Sequence, residues 1–212
     1  MWRNCALTLI LSFFVFIVNA SAPKGFAVLK DTTTFKTKMT VASKKINTLE
    51  SDFEQIKHLS ILSEKVKSKG HFQFKKDNKL KWAYTTPYNY SIFLNDDKMY
   101  IKDKGKVSKY NTKTNKLFKG INDMLLNIVK GNLFDTKEYK IEYFYSSKEY
   151  FVRLTPRKAT TQKFLKTIEL NISKTDYSVT KVKMAEPSGD YTSITFTNRK
   201  TNKAIPDAVF KP

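Results

Sequence analysis

The sequence predicts a mainly β (α+β) protein built on one long antiparallel sheet of about eleven strands, strongly curved or barrel-like. Three observations carry that expectation. Between Leu49 and Tyr110, large apolar and polar residues alternate with a period of two and are broken at short intervals by turn-forming clusters. The same alternation returns between residues 138 and 198. Between the two tracts, Leu117, Phe118, Ile121, Met124, Leu125, Ile128 and Val129 recur at spacings of three to four, the period of a helix with one apolar face.

Residues 1–22 read as a secretory signal peptide: Arg3, an apolar run over residues 7–18, then Asn19, Ala20, Ser21 and Ala22. Pro23 disfavours cleavage directly before it, so the cut is expected near Ala20. Cys5 precedes the apolar run, where a lipoprotein anchor cysteine would have to follow it. The 212-residue chain has one cysteine, so the mature part would carry no disulfide, thiol nucleophile or thiolate metal site. Export into a bacterial periplasm is the expectation. The remainder, residues 23–212, is expected to form one domain.

Residues 23–34 read as a loose arm. Phe35, Met39, Ala42 and Ile46 share one face of a helix over residues 35–46, with Thr34 as its cap. Strands are expected at 50–59, 63–75, 79–86, 89–94, 97–102 and 105–110. A polar K-K-D-N turn, Asn95-Asp96-Asp97-Lys98 and Asp103-Lys104-Gly105 supply three of the turns. The central helix runs from Asn115 until Gly131 stops it. Strands resume at 138–146, 149–156, 163–173, 177–186 and 189–198, and residues 205–210 form a short terminal piece. A sheet this long should curl, and the central helix can bury its apolar face only across the concave side. That leaves two readings open: a plugged core, or a lid over an apolar cleft.

Residues 70–87 are the most informative stretch. Phe72 and Phe74 share one face of a strand, and Leu80, Trp82 and Tyr84 share one face of the next. Such a hairpin is either ordinary core or one wall of an apolar ligand cavity.

The formal charge of +20, reduced to +19 without Arg3, invites a nucleic-acid reading. Export and the even spread of lysine argue against it. Solvated strand faces, or attraction to anionic lipid headgroups, explain the charge better. Enzyme chemistry finds no footing either. There is no G-x-S-x-G and no phosphate-cradling glycine loop. The two histidines stand at no metal-ligand spacing: His58 reads as a solvated strand residue and His71 as an outward-facing one. Asp96-Asp97 reads as turn chemistry. No catalytic residue, metal or cofactor is expected.

Several segments, in order, resemble the LolA family of periplasmic lipoprotein carriers. Ser51-Asp52-Phe53-Glu54-Gln55 resembles the family's S-F-x-Q strand. Gly70-His71-Phe72-Gln73-Phe74-Lys75 is similar to its G-x-[LF]-x-[VF]-K segment, and Leu80-Lys81-Trp82-Ala83-Tyr84 with Pro87 to the aromatic strand that follows. Leu94-Asn95-Asp96-Asp97-Lys98-Met99-Tyr100, Phe151-Val152-Arg153-Leu154-Thr155-Pro156 and Asp207-Ala208-Val209-Phe210 resemble later family landmarks. The resemblance covers almost the whole mature chain. It implies an unclosed antiparallel β-barrel with a helical lid or plug, and an apolar cavity for acyl chains. Outer-membrane-directed lipoproteins would be the passengers. A lipoprotein-releasing ABC transporter of the inner membrane would be the donor, and an outer-membrane receptor is left open. A monomer that binds no nucleic acid completes the reading.

The cavity candidates are Phe53, Phe72, Phe74, Leu80, Trp82, Tyr84, Met99, Met124, Leu125, Ile128, Leu154 and Phe196. They are apolar, non-directional surfaces that let a hydrocarbon chain slide in and out. One position departs from the family. Many members carry an Arg directly after the Lys of the G-x-F-x-F-K segment, where it pairs with the lid. Here Lys76 stands there, followed by Asp77, and a lysine lacks the rigid planar fork. Two other uses of the same fold stay open: carriage of another amphiphile (a glycolipid or pigment precursor), or a ligand-free envelope scaffold or sensor.

Overall fold

A computed structural model describes residues 22–62, 65–76, 78–95, 98–111 and 137–212. Twelve strands form one antiparallel sheet in the order β1-β8-β9-β10-β11-β12-β2-β3-β4-β5-β6-β7. The first six are β1 (Ala27–Val28), β2 (Thr48–His58), β3 (Lys65–Lys75), β4 (Lys79–Thr86), β5 (Tyr90–Asn95) and β6 (Lys98–Asp103). The others are β7 (Lys106–Asn111), β8 (Tyr139–Tyr145), β9 (Glu149–Pro156), β10 (Thr167–Ser173), β11 (Val179–Ala185) and β12 (Tyr191–Thr201). The end strands β1 and β7 are not paired with each other, so the sheet is not closed. The chain lays down one meander from β2 to β7 and a second from β8 to β12. The seam between them is β12 against β2, with Phe196 opposite Phe53 and Tyr191 opposite His58.

Helix α1 (Thr32–Lys44) buries Phe35 and Met39. It begins earlier than its apolar period suggests. The cap is Asp31 rather than Thr34: Asp31 Oδ1 accepts from the Thr34 N–H at 3.0 Å. That bond to the Thr34 N–H holds the Asp31 carboxyl below its usual range. The arm before it is not loose throughout. Ala27 and Val28 pair with Tyr145 and Phe144 of β8, a two-residue strand too short to show a period.

The strand expected over residues 163–173 begins only at Thr167. A one-turn helix α2 (Ala159–Gln162) occupies the connection before it. Gln162 Nε2 donates to Pro156 O at 2.7 Å, satisfying the carbonyl at the end of β9 and holding the turn in place. Strand β12 runs to Thr201, past the expected end at residue 198. The terminal piece is a 3-10 helix (Asp207–Phe210) that buries Phe210. Lys75 Nζ and Lys79 Nζ hold Asp207 at 2.6 and 2.7 Å. These two ammonium groups lower the Asp207 pKa to about 2.

The hairpin turn Asp103-Lys104-Gly105-Lys106 has φ of 47° at Lys104 and 80° at Gly105. Two left-handed residues in a row match the twist of the flanking strands, and glycine adopts that conformation without steric penalty. The middle of the Asn95–Lys98 turn and the expected central helix at 115–131 lie outside the described residues.

Two apolar clusters lie along the sheet. One joins Leu49, Phe53, Phe72, Phe74, Leu80, Trp82, Leu94, Met99 and Ile194 of β2 to β6 and β12. The other joins Phe35 and Met39 of α1 to Val152, Leu154, Ile168, Leu170, Ile172 and Val182 of β9 to β11. Met184 and Phe196 pack against both.

Candidate functional site

A cavity of about 440 Å³ lies between the sheet and the C-terminal half of α1. Its floor comes from the strand register. Phe72 faces Trp82 across β3 and β4, and Trp82 faces Ile92 across β4 and β5. Leu80, Leu94 and Met99 continue the same face through β6. Each of these strands alternates, so the whole inner face is apolar while Lys, Gln and His point the other way. The roof is Met39, Ala42, Ser43 and Ile46. The third wall is Phe196 and Ile194 of β12 with Val182 and Met184 of β11.

Six of the candidate side chains border this space: Phe72, Leu80, Trp82, Tyr84, Met99 and Phe196. Phe53, Phe74 and Leu154 are buried but do not border it. Phe53 lies over Gly70, its register partner: a Cβ on Gly70 would sit 2.7 Å from the Phe53 ring and collide with Ala83 O. From there the Phe53 ring packs on Trp82 at 4.7 Å and on Tyr84 at 5.1 Å. It therefore backs the wall. Phe74 belongs to the same cluster, and Leu154 is covered within the α1 cluster. Met124, Leu125 and Ile128 lie outside the described residues.

Lys76 is exposed. Its backbone N–H donates to Asn47 O at 2.7 Å, and its Nζ lies 3.5 Å from Asn47 Oδ1. His58 is not a freely solvated residue. Its ring stacks on Tyr191 at 4.9 Å, and its Nδ1 is buried.

The polar groups of the cavity are few. Tyr84 OH donates to Gln55 Oε1 at 2.9 Å. Burial raises the Tyr84 pKa well above its ordinary value, so the phenol stays neutral. At another point of the wall, Arg199 Nη1 lies 3.3 Å from Asp176 Oδ2. Burial lowers the Arg199 pKa, opposed by the charge of Asp176. Burial acts to raise the Asp176 pKa, but the Ser178 hydroxyl and Arg199 outweigh it and hold it low.

Sequence reasoning missed Arg199, and the reason is local. Ile194 and Phe196 face the cavity, so strict alternation would turn Asn198 inward and Arg199 outward. The β12–β2 register instead jumps between Thr197, opposite Asp52, and Lys200, opposite Glu50. Asn198 and Arg199 together oppose Ser51, and Asn198 has φ of 51°. This β-bulge reverses the facing of every later residue. Asn198 Nδ2 accordingly donates outward to Asp52 Oδ2 at 2.7 Å, whose other oxygen lies 2.6 Å from His71 Nδ1. Arg199 turns into the cavity. The roof has no local signal either: the spacing of Met39, Ala42 and Ile46 defines one helix face, but nothing local says what that face covers.

Among the described residues, no group of three or more His, Cys, Asp or Glu side chains could hold a metal ion. None of their helices is long and apolar enough to cross a membrane.

The architecture has counterparts among solved structures. An uncharacterized conserved protein from Thermus thermophilus superposes with a TM-score of 0.52 at 7% identity, covering 85% of this chain and 93% of that one. MucB superposes with a TM-score of 0.50 at 14% identity, covering 86% of this chain and 62% of MucB. A LolA superfamily protein from Nitrosomonas europaea gives a TM-score of 0.44 at 9% identity over 85% of this chain and 97% of that one. No curated protein matches the chain in sequence. The family model for the outer membrane lipoprotein carrier protein LolA matches residues 44–212, which span strands β2 to β12 and the terminal 3-10 helix. By that match, the chain belongs to the LolA family.

Proposed function

We propose that this protein is an exported carrier that holds the acyl chains of a lipoprotein in the cavity under α1 and moves them from the inner to the outer membrane. The observation that carries this reading is the cavity itself: about 440 Å³, inside the range of about 300–1,000 Å³ typical of small-ligand pockets. It also favours a carrier over a ligand-free scaffold or sensor.

The physical need is plain. Hydrocarbon costs roughly 0.8 kcal/mol per methylene to keep in water, or about 10 kcal/mol for one long chain. A lipidated protein therefore cannot cross an aqueous gap unaided. A wall of Phe72, Leu80, Trp82, Tyr84, Met99 and Phe196 supplies apolar area without directional bonds. That lets the passenger leave as well as enter. Phe53 and Phe74 belong to the cluster behind this wall, while Leu154 serves the neighbouring cluster under α1; Met124, Leu125 and Ile128 would supply a lid, with Lys76 at the lid contact. A lipoprotein-releasing ABC transporter of the inner membrane would load the carrier, and an outer-membrane receptor would unload it. The chemistry is transfer without catalysis. Residues 1–22 direct export and are removed near Ala20–Ala22, so the mature monomer, one domain over 23–212, works in the periplasm.

Native mass spectrometry of the protein drawn from its own envelope tests this directly. A bound lipid or lipoprotein is expected. Trp82→Glu would place a carboxylate in the cavity wall. It is expected to abolish acceptance of lipoproteins released from spheroplasts while leaving the circular dichroism of the sheet unchanged. Undiminished acceptance by that variant would remove the cavity from the mechanism. Carriage of another amphiphile, such as a glycolipid, is the second reading. The charged pair in the wall favours it, because a purely hydrocarbon passenger has no use for a guanidinium.

A further inference from the structure

Arg199 is a costly residue in its position. Its side chain is 16% exposed, and it borders a cavity whose lining is otherwise almost wholly apolar. Taking a guanidinium out of water is strongly unfavourable unless its donors are paired. A guanidinium carries five N–H donors in a fixed fork. Among the described residues, its hydrogen bonding amounts to one contact, Nη1 to Asp176 Oδ2 at 3.3 Å, which is long for a charge-assisted bond. Asp176 is not committed to it. The other oxygen of that carboxylate accepts from Ser178 Oγ at 2.7 Å and from the Ser178 N–H at 3.2 Å, a turn closed within the β10–β11 connection.

The bulge adds a second, independent observation. A regular β12 would leave Arg199 on the solvated face among Lys and Asn, at no cost. The extra residue at Asn198–Arg199 carries it through the sheet to the inner side. Bulges recur where a strand must re-aim one side chain, next to functional sites. Asp176 and Arg199 are the charged side chains among those described that border the cavity.

We propose that Arg199 is the head-group anchor of the cavity: it takes the carboxylate or phosphate of an anionic amphiphile whose hydrocarbon chain lies along Phe72, Trp82 and Met99. This rests on the carrier reading and narrows its passenger to amphiphiles with an anionic group next to the chain. A planar fork meets a carboxylate or phosphate through two parallel bonds, a geometry a lysine cannot offer. Asp176 stands where the ligand anion would sit and competes with it for the guanidinium.

The test is calorimetric titration of the delipidated mature protein at pH 8 with palmitate, hexadecyl phosphate, the neutral hexadecanol, and inorganic phosphate alone. The unaltered protein is expected to bind both anionic amphiphiles at least tenfold tighter than hexadecanol. Arg199→Gln is expected to bring them down to the level of hexadecanol without weakening hexadecanol itself. Asp176→Asn removes the internal competitor and is expected to tighten palmitate several-fold. It leaves the arginine in place, so the proposal remains testable should Arg199→Gln misfold. Equal binding of palmitate and hexadecanol by the unaltered protein would overturn the anchor and leave the acyl carrier standing. Failure of every chain-bearing probe to bind would overturn both. Tight binding of inorganic phosphate alone would make this a free-anion site and end the amphiphile assignment.

Discussion

The two halves of the sheet use the same alternation to different ends. On β9 and β10, Val152, Leu154, Leu170 and Ile172 are sealed by α1 through Phe35 and Met39. Aromatic rings close the gaps: Phe35 packs on Tyr150 at 4.7 Å, and Tyr150 on Tyr177 at 5.8 Å. On β3 to β6, side chains of the same kind border a space of about 440 Å³. The difference lies in how α1 meets each half. Its larger residues, Phe35 and Met39, sink into β9–β11. Ala42 and Ser43, one turn later, bring little side-chain volume to the cavity that Leu80, Leu94 and Met99 also border. Met39 serves both sides, packed into the sealed cluster and bordering the cavity.

Truncation on the two sides should expose that contrast. Leu170→Ala, in the sealed half, is expected to cost about 2–5 kcal/mol of unfolding free energy, because it opens a void in a close-packed region. Met99→Ala, at an existing cavity, should fall at or below the low end of that range and alter ligand capacity instead. Urea melts of both variants check this, and equal losses would erase the distinction between the halves.

A smaller effect is expected at Gly70, where the Phe53 ring occupies the place of a side chain. Gly70→Ala collides with Ala83 O and pushes that ring towards Trp82, so a loss of about 1–3 kcal/mol from overpacking is expected. Reduced acyl binding should accompany it, since Phe53 backs the cavity wall. A stable variant with normal binding would show that this close approach does not shape the site.

The smallest effect concerns the terminal 3-10 helix, tied to β3 and β4 by Asp207 with Lys75 and Lys79. The folded-state pKa of Asp207 is lowered to about 2, below an unfolded value of about 3.9. The clasp therefore contributes its full stability above the unfolded pKa and loses it as pH falls from about 4 towards about 2. Asp207→Asn should flatten that part of the acid-unfolding curve and leave stability unchanged in its pH dependence above about pH 5. An identical acid limb in the variant would show that the ion pairs, which are exposed and screened, contribute nothing measurable.

Much of the sheet was legible because its signal is local. Phe72, Phe74, Leu80, Trp82 and Tyr84 announce their common face by spacing alone, and the register pairs Phe72 with Trp82 and Phe74 with Leu80. Six of the candidates border the cavity for the same reason. Other features have no local signal. Strand β1 has two residues, fewer than needed to show an alternation. Leu154 carries the same alternation as Leu80, and only the position of α1 buries it in the other cluster. Arg199 follows a run of alternating residues and breaks it, which a periodic reading cannot anticipate.

The amino-acid order by itself determined the longer strands and which side of each is apolar, as far as the alternation runs unbroken. Both follow from the two-residue repeat of the extended chain, a property of neighbours. Only the tertiary structure decided which apolar faces are filled and which remain hollow, because that depends on the volumes brought opposite them by α1. It also decided the inward turn of Arg199, since one extra residue on β12 is defined only against the partner strand β2.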